Sequence, residues 1–358
     1  MRFKHCCGNL RATNSTDVDL TQAIKVSVGT VDLFEREFAC KIATLPKNVM
    51  LLGWSAKAKS WLCAPETIIQ NSTFNDRFPA TLNFLTHHVM PRLPDQTFWT
   101  LLCLYDGWRE RNTYSEHYHW VQPHDLAEEI EWRGAPGEIP ILSQNRCWIA
   151  CYGAHLGDPS ALLLPEAHYL SRNHYQDLFA NVRDHLVPWE EKLPHAVYCA
   201  GNHGERTNYF PPVPAERAHP RQYLEQLVVA EGLPIHVYLG NGIPLERQLK
   251  YKYILDVDGY VRTWDAWAWK MQSGSTVLSV NSPWESFFTR FFEEWVHYVP
   301  VANDFSDLGD KLAWCVGNDA RCRLIAQQAQ RRAQEVYSLD YVSHIVTQQL
   351  QHQTSISQ

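Results

Sequence analysis

The second half of the chain alternates between short apolar runs and segments of helical spacing, and few folds accept that pattern. His195–Cys199, Ile235–Leu239, Lys250–Leu255, Thr276–Val280 and His297–Val301 read as strands. Arg221–Glu231, Asp265–Gln272, Trp284–Trp295, Leu308–Val316 and Asp319–Val336 carry helical spacing, and Gly232 closes the first of them. Strands that alternate with helices build a parallel sheet covered on both faces, because each parallel crossover needs a connection long enough to hold a helix. The predicted class is α/β.

The first half carries the same signals more weakly. Val26-Ser27-Val28-Gly29, Asn48–Gly53, Thr97–Tyr105, Ile139–Leu142 and Cys147–Tyr152 read as strands, and Thr81–Val89 and Asn173–Leu186 as helices, the latter stopped by Val187-Pro188. A chain of 358 residues exceeds one compact core and suits two domains. The predicted division is a Rossmann-like domain over 1–187, a second over 188–345 and a polar tail over 346–358.

Composition narrows the function. With 45% hydrophobic and 20% charged residues the balance is that of a soluble globular protein. Lys and Arg number 32 against 39 Asp and Glu, a net charge of −7 that argues against broad capture of nucleic acid. No stretch approaches the roughly 18 uncharged apolar residues of a membrane span. Met1–Cys7 carries no apolar secretory core, and the ten cysteines are scattered, so the expected setting is the cytoplasm with reduced thiols. Peripheral contact with a membrane surface stays open.

In an open parallel sheet, ligands bind beyond the carboxyl ends of the strands. Three polar loops leave apolar strands there: Asp106-Gly107-Trp108-Arg109, Gly201–Arg206 and Asp256-Val257-Asp258-Gly259. A fourth, Ser273-Gly274-Ser275, lies between a helix and a strand. Glycines let backbone approach a ligand, and exposed N–H groups favour anions such as a diphosphate. Asp106 supplies a carboxylate that can take a proton from an attacking hydroxyl, and Arg206 a cation where a departing diphosphate gathers charge. His87-His88, His117-Tyr118-His119 and Cys147…Cys151 complete no zinc set. No Walker A, dinucleotide fingerprint or nucleophile elbow is present.

The ordered series Pro188–Ala196, Lys250–Gly259, Ser273–Leu278 and Trp295–Val301 resembles glycosyltransferase family 90. That family includes Rumi-type protein O-glucosyltransferases, fungal capsule xylosyltransferases and lipopolysaccharide-modifying enzymes. The resemblance implies a GT-B fold, two Rossmann-like domains with parallel sheets facing across a cleft. It implies inverting transfer of glucose or xylose from a UDP-sugar to a hydroxyl on a glycan, a lipid-linked glycan or lipopolysaccharide, or a protein. The nucleotide sugar is then a substrate, with neither metal nor other cofactor.

Carried over by position, Asp106 resembles the family's catalytic base. Asn202 falls where a Ser meets the donor, Arg206 where an Arg contacts the diphosphate, and Thr263 where a Ser of the second donor loop lies. Gly201, Asp258, Gly259, Ser273, Gly274 and Ser275 complete the expected donor site. Rumi-type members place an Arg where this chain has Asp265, and Arg262 is the cation at hand to replace it. Two alternatives compete. Asp256-Val257-Asp258 has the DxD form that ligates Mn²⁺ or Mg²⁺ in GT-A transferases, although an Asp before Gly more often bonds nearby backbone N–H groups. A fold that binds nucleotide sugar or glycan without turnover is the other.

Overall fold

The structure, a computed structural model, describes residues 24, 26–38, 40–42, 49–64, 77–104, 130–132, 149–157, 161–202, 220–240, 242–259, 261–262 and 264–355. The chain forms two compact units, one of Thr16–His174 with Leu339–Gln358, the other including Tyr175–Ser338. The division thus falls at 174/175 rather than 187/188, and the C-terminal segment joins the first unit.

The first unit holds a six-stranded sheet of β1 (Val26–Val28), β2 (Val49–Ser55), β3 (Ser60–Ala64), β4 (Phe98–Cys103), β5 (Ile149–Cys151) and β6 (Ala161–Leu163), in the order β1-β3-β2-β4-β5-β6. The β1–β3, β4–β5 and β5–β6 pairs are parallel, whereas β2 runs antiparallel to both neighbours. A hairpin therefore interrupts the expected parallel sheet. Lys59 takes a left-handed φ of 49° at its turn, and Trp54 pairs with Trp61 across it with ring centroids 5.0 Å apart.

Helix α1 (Arg77–Phe84) starts earlier than the expected Thr81–Val89 and runs on into a π turn over Leu85–Val89. Residues 346–355 of the predicted polar tail are in fact the end of a helix over Leu339–Ser355. Val342, Val346 and Leu350 recur at spacing four and are buried, a helical stripe that the intervening Gln and His residues disguise. Arg92 ties this helix to the rest of the unit through Asp340 at 3.0 Å. The strand expected at Ile139–Leu142 lies outside the described residues.

The second unit matches the alternation closely. Its strands β7 (Leu193–Ala200), β8 (Ile235–Leu239), β9 (Tyr251–Asp256), β10 (Thr276–Val280) and β11 (Val299–Val301) form an all-parallel sheet in the order β8-β7-β9-β10-β11. Adjacent residues point to opposite faces and feed separate cores. Ala196, Tyr198, Tyr253 and Leu255 join Leu224, Val228, Leu312 and Ile325 on one side. Val197 and Ile254 join Val182, Leu249 and Trp269 on the other.

Helix α2 (Gln176–Asp184) is preceded by three consecutive left-handed residues, Asn173, His174 and Tyr175, which break the expected Asn173–Leu186 helix. Helix α3 (Pro220–Glu231) begins on a proline, one residue before the expected Arg221, and it ends at Gly232 with φ +61°, as the sequence predicts. Helix α4 (Ala266–Gln272) precedes β10, and α5 (Leu308–Gly317) and α6 (Asp319–Val336) close the unit. The predicted helix over Trp284–Trp295 does not form. Trp284–Ser286 is extended, Thr289–Phe291 makes one 3-10 turn, and Trp295 has φ 61°. Phe287 and Phe288 are both fully buried, and Phe288 stacks on Tyr337 at 4.0 Å, so aromatic packing overrides the helical spacing.

Candidate functional site

The strand order of the second unit, second-first-third-fourth-fifth in chain order, is that of the flavodoxin-like doubly wound sheet. Its connections reverse direction between β7 and β9, which opens a crevice at their carboxyl ends. Gly201-Asn202 follows β7 there and Val257-Asp258-Gly259 follows β9. Asn281-Ser282 leaves the neighbouring β10 at the same end. Sequence reasoning and structure thus agree in bringing Gly201, Asn202, Asp258 and Gly259 to one edge of one sheet.

A network of buried charge lies beneath these loops. Asp256 bonds Lys270 Nζ through Oδ1 at 2.7 Å and Arg262 through Oδ2 at 2.7 Å. Arg262 Nε stands 3.8 Å from Asp258 Oδ1, and Ser282 donates its hydroxyl to Asp258 Oδ2. Arg262 also donates to Val280 O at 3.3 Å and to Ser279 Oγ, and lies over the Trp267 ring at 4.7 Å. Burial opposes the charge on Asp256, but Lys270 and Arg262 outweigh it and hold the carboxyl below the usual carboxylate range. For Asp258, burial prevails over Arg262 and Ser282 and pushes the carboxyl up. Both carboxylates of the Asp-x-Asp are therefore engaged by side chains of the same unit. Among the described residues no group of three or more His, Cys, Asp or Glu could hold a metal ion.

Arg262, the expected stand-in phosphate cation, spends its N–H groups on Asp256, Ser279 and Val280 and lies beside Asp258. Ser273, Gly274 and Ser275 fall elsewhere still. They form the turn from α4 into the amino end of β10, about 15 Å of strand away from the carboxyl edge. Ser275 donates to Tyr251 O at 2.6 Å at the start of β9, and Lys192, just before β7, donates to Ser275 Oγ at 2.9 Å and to Leu249 O and Ser273 O. Gly274 has φ +65°, with the Gln330 amide 3.2 Å from where a Cβ would sit. A helix-to-strand turn in a parallel sheet is always at the amino end, so this triplet serves the fold and cannot share the crevice. Asp106, Arg206 and Thr263 lie outside the described residues.

Sequence reasoning missed Arg221 and Lys270. Arg221, in the first turn of α3, donates to Gly201 O at 3.0 Å, Asp258 O at 3.1 Å and Val257 O at 3.4 Å. Beside it Gln222 donates to Asn202 Oδ1 at 3.1 Å. The available signal was a cation at a helix N-terminus, where the macrodipole disfavours positive charge unless other acceptors hold it.

Residues 173–356, just over half of the chain, match the model of Glycosyl transferase family 90. The chain belongs to that family. Among curated relatives, uncharacterized protein 179R of Invertebrate iridescent virus 6 is 36% identical over 112 residues, 28% of this chain and 9% of that protein. Human protein O-glucosyltransferase 3 is 37% identical over 87 residues, 24% of this chain and 17% of its own length. The matched segments therefore span less than a fifth of these relatives. The solved structure of Anabaena HepE in complex with UDP-glucose aligns over 51% of this family-90 chain and 53% of its own at 10% identity, with a TM-score of 0.32. No helix of the described residues is long and apolar enough to cross a membrane.

Proposed function

We propose that this family-90 chain is an inverting glycosyltransferase that moves glucose from UDP-glucose to an acceptor hydroxyl without a metal ion. The observation that carries the reading is the crevice itself: a doubly wound parallel sheet, within the family-matched segment, whose switch-point loops present Gly201-Asn202 and Val257-Asp258-Gly259 to one edge. A unit of this kind is what GT-B transferases are built from. The relatives named protein O-glucosyltransferases favour glucose over xylose as the sugar and a protein over a glycan or lipopolysaccharide as the acceptor.

The chemistry needs one displacement. The acceptor oxygen attacks the anomeric carbon as the bond to the diphosphate breaks, UDP departs, and the acceptor proton passes to a base. Asp106 is the proposed base and Arg206 the proposed cation on the departing diphosphate, with loop N–H groups and the N-terminus of α3 adding positive potential. The transition state is oxocarbenium-like, so charge leaves the sugar as it gathers on UDP. The engaged state of Asp256 and Asp258 favours this account over the metal-dependent one. A metal would have to displace Lys270 and Arg262 from carboxylates they already neutralise.

The test is UDP release from UDP-glucose, UDP-xylose and other UDP-sugars, each with and without candidate acceptors. Acceptor-dependent release from UDP-glucose supports the reading. Tight UDP binding with no release under any acceptor would make the chain a binding protein instead.

A further inference from the structure

The loops that flank the switch point are joined by one side chain. Arg221 spends three of its five N–H groups on backbone carbonyls: NH1 on Gly201 O after β7, Nε on Asp258 O and NH2 on Val257 O after β9. A guanidinium is planar and rigid, so three simultaneous bonds fix the separation and tilt of the two loops. A lysine, with a single ammonium, would set neither. The close ion pairs of Asp256 and Asp258 are made by Arg262 and Lys270, and the hydrogen bonds of Arg221 go to backbone carbonyls, its charge acting on Asp258 only from farther off.

Gly259 supplies an independent mark of the same contact. It is not among the residues with positive φ, so its backbone does not require glycine. A Cβ built there would sit 3.0 Å from Arg221 NH2 and 3.6 Å from its central carbon, the guanidinium being what it meets among the described residues. A free arginine would swing aside at little cost. One pinned by three carbonyls cannot move without releasing a loop.

We propose that Arg221 is a positioning residue for the nucleotide-sugar donor, clamping the loop after β7 to the loop after β9, and that Gly259 is glycine to admit the clamp. Arg221 acts through the loops and not by touching the reacting atoms. The proposal rests on the transferase reading above, and its test separates the two.

In the full chain, UDP affinity is measured by calorimetry, and donor and acceptor KM by turnover, for Arg221→Ala, Arg221→Lys, Gly259→Ala and the double variant Arg221→Ala/Gly259→Ala. Loss of a charge-assisted bond network of this kind should weaken UDP about tenfold or more in Arg221→Ala. Arg221→Lys should not restore it, donor KM should rise, and acceptor KM should stay unchanged. Gly259→Ala should also weaken UDP, yet add nothing once Arg221 is gone, because the two changes break one contact. Should Arg221→Ala fail to fold, Arg221→Lys and Gly259→Ala carry the test. Wild-type affinity in Arg221→Lys, or additive losses in the double variant, overturns the clamp while leaving the donor reading intact. A wild-type chain that binds no UDP overturns the donor reading, and the donor role of the clamp with it.

Discussion

Replacing Asp256 with asparagine removes one charge and changes almost no volume, which makes it the sharpest probe of the carboxylate pair. In the wild type its oxygens sit 2.7 Å from both Lys270 Nζ and Arg262 NH2, with all three side chains 12% exposed or less. At an effective dielectric near 20, each contact represents about 6 kcal/mol of gross attraction, most of it offset by the cost of burying the charges. That burial cost stays when Asp256 is neutralised, and the new amide turns N–H groups toward one of two donors. Breaking a buried pair this way costs about 3–5 kcal/mol, so Asp256→Asn should lower the midpoint for this unit by roughly 10 °C at neutral pH. Asp256 is held below its ordinary range, so its contribution is complete above the unfolded pKa and fades as pH falls through the lower folded value. The variant should lack that acid-side loss. Thermal unfolding and hydrogen exchange of the β9 and β10 amides, both without metal, read the effect. If the pair were an open metal site, removing one carboxylate would relieve repulsion and leave the metal-free chain as stable or more so. Unchanged stability at neutral pH therefore refutes the charge-lattice account.

Three further outcomes follow from the same reasoning. Asp106→Asn should keep UDP affinity yet lower transfer by about 10² to 10⁴, the usual worth of a general base, and near wild-type turnover would remove Asp106 from the mechanism. Arg206→Ala should weaken UDP roughly 10- to 100-fold by calorimetry while sparing the acceptor, and unchanged affinity would refute the phosphate contact. Lys192 is lowered by burial from 10.5 to about 8, so the unfolded chain binds the extra proton between those values and stability should rise with pH there by about 3 kcal/mol. Lys192→Met should lose that rise, seen as the difference between two stability–pH curves; parallel curves would show that the buried ammonium is not responsible.

The sequence was most readable where local pattern and tertiary role coincide. Strands β9, β10 and β11 of the second unit are short apolar runs because they are covered on both faces, and Gly232 ends α3 because a left-handed residue is needed there. It was least readable where a partner distant in sequence decides. Trp284–Trp295 has helical spacing but folds around Phe287, Phe288 and Tyr337, the last supplied by α6's C-terminal end. The helix over Leu339–Ser355 hides its apolar stripe among polar residues. At the site, the loops after β7 and β9 were legible as polar exits from apolar strands. Ser273-Gly274-Ser275 has the same composition, and only the direction of the strand it enters reveals that it stands at the wrong end of the sheet. Arg221 was invisible because its partners are backbone carbonyls, which carry no residue-type signal.

The central claim is that a family-90 crevice neutralises its own carboxylates and runs glycosyl transfer with protein cations instead of a metal. Sugar transfer from UDP-glucose, measured in excess EDTA and again with added Mn²⁺ or Mg²⁺, tests it most directly. Equal acceptor-dependent transfer under all three conditions is the predicted result. Transfer abolished by EDTA and restored by either metal would contradict it.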